Sequence, residues 1–220
     1  MRQRKKKWAP AQLASNPRII RDTAAHAGRL KEYFGNNNPI HLEIGCGKGR
    51  FIAESSRLNP DINYIAIERE DVILAAAARH ADEYGACSLA FLLMDADMLQ
   101  EMFNPGDIER LYLNFSDPWP GRKKRAKRRL THEKYLAMYQ QLCIPELHFK
   151  TDNRPLFEYS IESLSMQGWQ IKNVSLDLHK SGIEDNIMTE YEKKFSSMGM
   201  PIYRLEASPP KVQANLDDNI

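Results

Sequence analysis

Between Pro39 and residue 207 the chain switches back and forth between short apolar runs and helix-forming stretches. This alternation limits its architecture more than any other feature. The runs "IHLEIG" (40–45), "NYIAIE" (63–68), "SLAFLLMDA" (88–96), "IERLYLNFSD" (108–117) and "ELHFKTD" (146–152) read as strands, and "WQIKNVSLDL" (169–178) as a sixth. Between them "GRFIAESSRLN", "DVILAAAARHADEYG", "DMLQEMF", "THEKYLAMYQQLC" and "NRPLFEYSIESLSMQG" read as helices, the fourth with Thr131 as its expected N-cap. "TEYEKKFSSMG" and "PIYRLEA" supply a last helix and a seventh strand. Strands separated by helices of about 10–15 residues predict βαβ units. The expected fold is α/β: a doubly wound, mostly parallel seven-stranded sheet with helices on both faces.

The flanks differ from this pattern. Residues 1–38 read as a basic N-terminal arm, since five of the seven residues after Met1 are Lys or Arg. Pro10 and Pro17 follow, then a short helical stretch near 22–34 and the turn-rich "GNNNP". Residues 39–207 are assigned to one domain and 208–220, "SPPKVQANLDDNI", to a disordered tail. A net charge of +2 conceals two basic clusters, the arm and residues 122–129, where seven of eight residues are Lys or Arg. Such clusters imply an anionic partner. Cys46, Cys87 and Cys143 are far apart and the six histidines are scattered, so neither disulfides nor a metal site is expected. No apolar stretch of a signal peptide follows the basic start, and no run reaches the roughly 18 apolar residues of a membrane span. The expectation is a cytoplasmic protein.

In doubly wound sheets ligands gather at the carboxyl ends of the strands, near the reversal of strand order. Glu43 and Gly45 fall there after the first strand, and Glu68, Asp95, Asp117 and Asp152 after the next four. The loop "EIGCGKGRF" (43–51) places Gly45, Gly47 and Gly49 between a strand and a helix. Its Gly-x-Gly-x-Gly spacing fits a dinucleotide fingerprint poorly, and no Ser or Thr follows Lys48 as a phosphate-binding loop requires. S-adenosylmethionine (SAM) fits better: it has no phosphates, and Glu43 can hold its cationic amino-acid end. Glu68, at the end of the second strand, is placed to hold ribose hydroxyls. Asp95 is a candidate for the adenine amino group, and Asp97 for the N-cap of the following helix. Read alone, the glycines could also form a tight turn that binds nothing.

The fourth strand runs into "SDPWPGRKKRAKRRL" (116–130). Pro118 restricts Asp117 to extended geometry, and Trp119 can stack on a base or fill a local gap. The basic run suits an RNA backbone, with Lys124, Arg125, Lys127, Arg128 and Arg129 as its phosphate-facing candidates.

"EIGCGKGRF", "NFSDPWP" with its basic sequel, "HFKTDNRPLFEYS" and "MTEYEKKF" occur in this order over nearly the whole chain. Together they resemble the bacterial tRNA (guanine-7-)-methyltransferase family. The resemblance implies a Rossmann-like class I SAM-dependent methyltransferase that modifies the 7-nitrogen of guanine 46 in the tRNA variable loop. It implies that Asp117 lies beside both the SAM methyl and the target base, as catalytic and cofactor-binding residue. It assigns Arg122 or Lys123, Asp152, Thr189, Glu190, Tyr191 and Glu192 to the substrate, and tRNA as partner, with S-adenosylhomocysteine as product. From the residues alone, "TEYE" is a helix start with Thr189 as N-cap and Glu192 completing a capping box. Two departures stand out. Gly121 separates "DPWP" from the basic run, so Arg122 and Lys123 both remain candidates, and Pro145 stands in a segment that is often glycine-rich. Monomer and homodimer are both open. A non-catalytic RNA-binding module and a Rossmann dehydrogenase are the competing readings, the second disfavoured by the glycine spacing.

Overall fold

The computed structural model describes residues 6–121 and 123–211. Three short helices come first: α1 (Ala9–Ser15), α2 (Thr23–His26) and α3 (Leu30–Phe34). Then follow β1 (Ile40–Ile44), α4 (Arg50–Leu58), β2 (Asn63–Glu68), α5 (Asp71–Glu83), β3 (Leu89–Leu93), α6 (Leu99–Met102) and β4 (Arg110–Asn114). The second half contains α7 (Lys123–Ala126), α8 (Glu133–Gln141), β5 (Leu147–Thr151), α9 (Arg154–Met166), β6 (Gln170–Ser175), α10 (Glu190–Ser197) and β7 (Tyr203–Ser208).

All seven strands lie in one sheet of order β3-β2-β1-β4-β5-β7-β6. The first five pair in parallel, and β7 runs antiparallel to both β5 and β6. The order reverses between β1 and β4, so the ends of these two strands flank the crevice in which ligands gather. β1, β2 and β3 read as continuous apolar runs because helices cover both their faces. Ile52, Leu74, Ala77 and Ala78 of α4 and α5 pack on Tyr64, Ala66 and Phe91. Across the sheet, Leu136 and Tyr139 of α8 and Leu156 and Phe157 of α9 pack with Leu42, Ile65, Leu111 and Phe149.

The segment before β1 is seated on the β3 edge. Phe91 exchanges backbone hydrogen bonds with Arg18 and Ile20, at 2.8 and 3.0 Å, and Ile19 bridges Phe91 in parallel. Ile19, Ile20 and Leu30 are buried, each contributing on the order of 1.5–3 kcal/mol by the apolar area withdrawn from water. The Arg18 guanidinium adds hydrogen bonds to the carbonyls of Ala86 and Cys87 and to Asp82. The basic residues 2–5 and the tail beyond Lys211 lie outside the described residues.

Several helix starts differ from expectation. His132, not Thr131, caps α8, its ring nitrogen accepting the Lys134 N–H. Thr131 is buried with its hydroxyl 2.8 Å from Ser160 Oγ. Asp95 rather than Asp97 caps the single 3-10 turn before α6, accepting the Asp97 N–H. Asp97 instead pairs with Lys134 Nζ at 2.7 Å. In each case the expected cap had a tertiary partner that the local pattern does not contain.

Candidate active site

The parallel strand ends open into a cleft of about 660 Å³. Gly45, Gly47, Glu68, Asp95, Asp117, Asp152 and Tyr191 line it, as do Arg69, Phe115, Trp119, Arg128 and Phe195. Eight of the candidate site residues, Arg128 included, thus meet at one cavity.

Gly45, Gly47 and Gly49 all have φ between +56° and +80°, a backbone state that side chains resist. Their neighbourhoods differ. A Cβ on Gly49 would lie 2.9 Å from Ala77 Cβ, so this glycine lets α4 approach α5. A Cβ on Gly45 or Gly47 would meet nothing within 4 Å. The two glycines therefore hold open space for a ligand against the backbone.

Beneath the loop, Glu43 is 1% exposed. Asn114 Nδ2 donates to its Oε1 at 2.8 Å, while Oε2 has no partner among the described residues. Burial pushes the Glu43 carboxyl up to about 8, against the opposing pull of the Asn114 hydrogen bond. Burial therefore favours the neutral acid in the free protein, and Glu43 is not among the residues that line the cleft. Glu68 is also raised by burial, opposed by the N–H groups of Glu70, Arg69 and Gly47. Its Oε1 accepts from the Arg69 and Glu70 N–H groups at 2.9 and 3.1 Å, which fixes the carboxylate at the cleft wall.

Asp117 stands in the mouth of the cleft with its side chain 67% exposed. The loop that carries it is strained at two points: Phe115 and Trp119 have φ of 53° and 42°, in the left-handed region. Three arginines hold it. Arg129 Nε donates to the Pro118 carbonyl at 2.9 Å and its guanidinium covers Tyr159 at 4.2 Å. Arg128 lies over Trp119 at 4.7 Å, and Arg69 reaches Asp117 at 3.8 Å. The basic run is consequently not uniform. Arg125 and Lys127 face solvent, whereas Arg128 and Arg129 are engaged with the Asp117 loop. Residues 123–126 form the short helix α7, which the charge run gave no reason to expect. Arg122 and the side chains of Lys123 and Lys124 lie outside what the structure describes.

Across the cleft, Thr189 caps α10 by accepting the Glu192 N–H at 2.9 Å. The reciprocal half of the capping box is not made. Glu192 is fully buried, and its carboxylate turns instead to Lys150 Nζ at 2.8 Å. Lys150 Nζ also donates to Asn186 Oδ1 at 3.0 Å and the Ile187 carbonyl at 2.9 Å, which satisfies all three of its protons. Glu192 and Thr189 thus do not line the cleft; they fasten the segment that carries Tyr191 into it. Tyr191 stacks between Phe115 and Phe195, with ring centres 6.4 and 6.2 Å apart. Glu190, at the start of α10, has its Oε1 buried without a partner among the described residues.

The sequence reading missed Arg69, Lys150 and the Phe115–Tyr191–Phe195 stack. Lys150 did carry a signal, because an ammonium inside the strand "HFKT" must find an acceptor when buried. Its partner, 42 residues later, carried none.

A family model described as "Putative methyltransferase" matches residues 37–205. The proteins named tRNA (guanine-N(7)-)-methyltransferase from Bacillus subtilis and Listeria welshimeri are 49% and 50% identical to this chain. Each match spans 94% of this chain and 98% of the relative. Among solved structures, the 16S rRNA methyltransferase KamB superposes with a TM-score of 0.58 at 15% identity, over 82% of this chain and 93% of that one. The aminoglycoside resistance methyltransferase NpmB1 superposes with a TM-score of 0.55 at 16% identity, over 82% and 92%. These structural neighbours share the Rossmann-like class I methyltransferase fold. With a match at this identity over nearly its full length, the chain belongs to the tRNA (guanine-N(7)-)-methyltransferase family.

Proposed function

We propose that the protein transfers a methyl group from SAM to the 7-nitrogen of guanine 46 in the variable loop of tRNA. The observation that carries this reading is the single cleft in which the glycine loop, Glu68 and Asp95 face Asp117 and Trp119. The residues fit the cofactor. Gly45 and Gly47 leave room against the backbone, and the unpartnered Glu43 oxygen lies buried beneath that loop. Glu68 would hold the ribose and Asp95 the adenine edge. When bound, SAM supplies an electrophilic methyl group on a sulfonium.

The 7-nitrogen of guanine is a bare acceptor on the outer edge of the base and needs no general base. The protein has to align it, and positioning accounts for most of the rate. Asp117 then faces a purine that gains positive charge, and its carboxylate stabilises that charge as it develops. Trp119 offers an aromatic face to a base taken out of its stack, and Tyr191, held between Phe115 and Phe195, its exposed edge. Asp152 at the end of β5 is placed to accept from the guanine donors. Arg125 and Lys127 are the exposed cations for the phosphate backbone. Among the described residues no helix is long and apolar enough to cross a membrane, in keeping with an enzyme that meets tRNA in the cytoplasm.

The test is methyl transfer from labelled SAM to unmodified tRNA, with nucleoside analysis and a control tRNA carrying adenine at position 46. Label in 7-methylguanosine, absent from the control, is the expected result. Label on another atom or position refutes the substrate reading. Asp117→Ala is expected to lose transfer while keeping its melting temperature within a few degrees.

A further inference from the structure

Arg69 follows Glu68 at the end of β2 and reaches across the mouth of the cleft. Its Nη2 lies 3.8 Å from Asp117 Oδ2, and its guanidinium carbon 5.8 Å from the centre of the Trp119 ring. The other arginine on Trp119, Arg128, lies closer, at 4.7 Å. A guanidinium is a flat, delocalised cation that stacks on aromatic rings and pairs with carboxylates. A guanine methylated at its 7-nitrogen is also a flat, delocalised cation. The two require the same partners, one carboxylate and one indole face. These contacts of Arg69 and a third, from Nε to Glu70 Oε1 at 3.9 Å, are long for their kind, and the side chain is 49% exposed, so the group leaves at little cost.

We propose that Arg69 is a specificity-determining residue of the substrate site. In the free protein it holds the place of the cationic base between Asp117 and Trp119, competes with that base, and limits retention of the methylated product. The inference rests on the reading of this cleft as a guanine-7-nitrogen methyltransferase site. A competitor lowers apparent affinity by the fraction of time that the place is taken. It acts hardest on a ligand that needs the same carboxylate. Removing Arg69 leaves Asp117 unpaired by it and takes one of two guanidinium groups off Trp119, Arg128 staying on the ring, so 7-methylguanosine gains both the added room at the indole and the freed charge. Neutral guanosine gains only the first.

The experiment titrates 7-methylguanosine and guanosine into the wild-type protein and Arg69→Met, in mildly acidic buffer that keeps the methylated base cationic. Quenching of tryptophan fluorescence is the signal, and Trp119→Phe identifies the reporting residue. Arg69 is half-exposed at a strand end, so the substitution leaves the core intact. The variant is expected to bind 7-methylguanosine about three- to tenfold more tightly than wild type, with a smaller gain for guanosine. Unchanged or weaker binding of 7-methylguanosine overturns the proposal, as does an equal gain for both nucleosides. Wild-type methylation of tRNA is measured alongside. If 7-methylguanosine forms but the variant shows no gain, Arg69 alone is wrongly assigned; if none forms, the reading of the cleft falls with it.

Discussion

Replacing Lys150 by Met should strongly destabilise the protein, and replacing Glu192 by Leu as well should rescue much of the loss. Lys150 has 7% of its side chain exposed and Glu192 none, and their charged atoms are 2.8 Å apart. Burying the two charges costs several kcal/mol each, which their mutual attraction and the bonds to Asn186 and Ile187 offset. With the ammonium gone, Glu192 keeps its own desolvation penalty and loses its lysine counter-charge, leaving only the Asn186 amide and the His179 ring at 3.3 Å beside it. A loss of roughly 3–5 kcal/mol is expected, against a total of about 5–15 kcal/mol for a domain of this kind. The double variant removes both charges and fills the space with apolar atoms, so it should recover at least half of that loss. Urea unfolding of the four proteins at neutral pH measures the cycle, with a coupling of at least about 2 kcal/mol expected. Single losses below about 1 kcal/mol, or a double variant as unstable as the sum of the singles, would refute the reasoning. Since Asn186 and Thr189–Tyr191 depend on this anchor, the double variant should also show a raised KM for tRNA.

Glu43 gives a pH-dependent prediction. Its folded-state carboxyl titrates near 8 against an ordinary 4.5, so the folded state holds a proton that the unfolded chain releases between these values. Stability from this group is full below pH about 4.5 and falls as pH rises toward 8. Glu43→Gln should therefore match wild type in acid and exceed it in Tm at pH 8; a constant offset across the range would contradict the assignment. His41 slopes the other way: burial lowers its ring to about 4 from 6.5. Stability from the neutral ring is therefore complete above about pH 6.5 and lost as pH falls toward 4, so His41→Gln should flatten the acid limb of a Tm profile. For RNA binding, Arg125→Ala and Lys127→Ala should each lower the slope of log affinity against log salt by about 0.7–0.9. Arg128→Ala should instead lower kcat, through the loosened Trp119 face; an effect confined to the salt slope would place Arg128 on the RNA.

The sheet was legible because its strands announce themselves. β1 to β3 are buried and leave short runs dominated by apolar residues, interrupted in β1 by His41 and Glu43, and acids fall where these parallel strands stop. The glycine loop was equally legible, since positive φ and open space both demand residues without a Cβ. What could not be read depended on pairs remote in sequence. The partner of Lys150 is 42 residues away and that of Asp117, Arg69, stands 48 residues before it. The basic run looked uniform because charge is visible in a sequence, whereas the aromatic rings that turn Arg128 and Arg129 inward are supplied by folding. The seat of the N-terminal segment was hidden for a related reason. Ile19 and Ile20 form too short a run to signal a strand, and they make a single bridge.

The position of β7 has a consequence for how the molecule comes into being on the ribosome. This strand ends at Ser208 in a chain of 220 residues, yet it lies between β5 and β6. Until it emerges, β6 has no neighbour to pair with and β5 lies at an open margin. Its arrival closes the sheet and gives the α10 segment its final support, through the register that pairs Thr151 with Tyr203 and Lys150 with Arg204. The half of the cleft proposed for the cofactor is therefore encoded ahead of the half proposed for the base, whose support waits for β7.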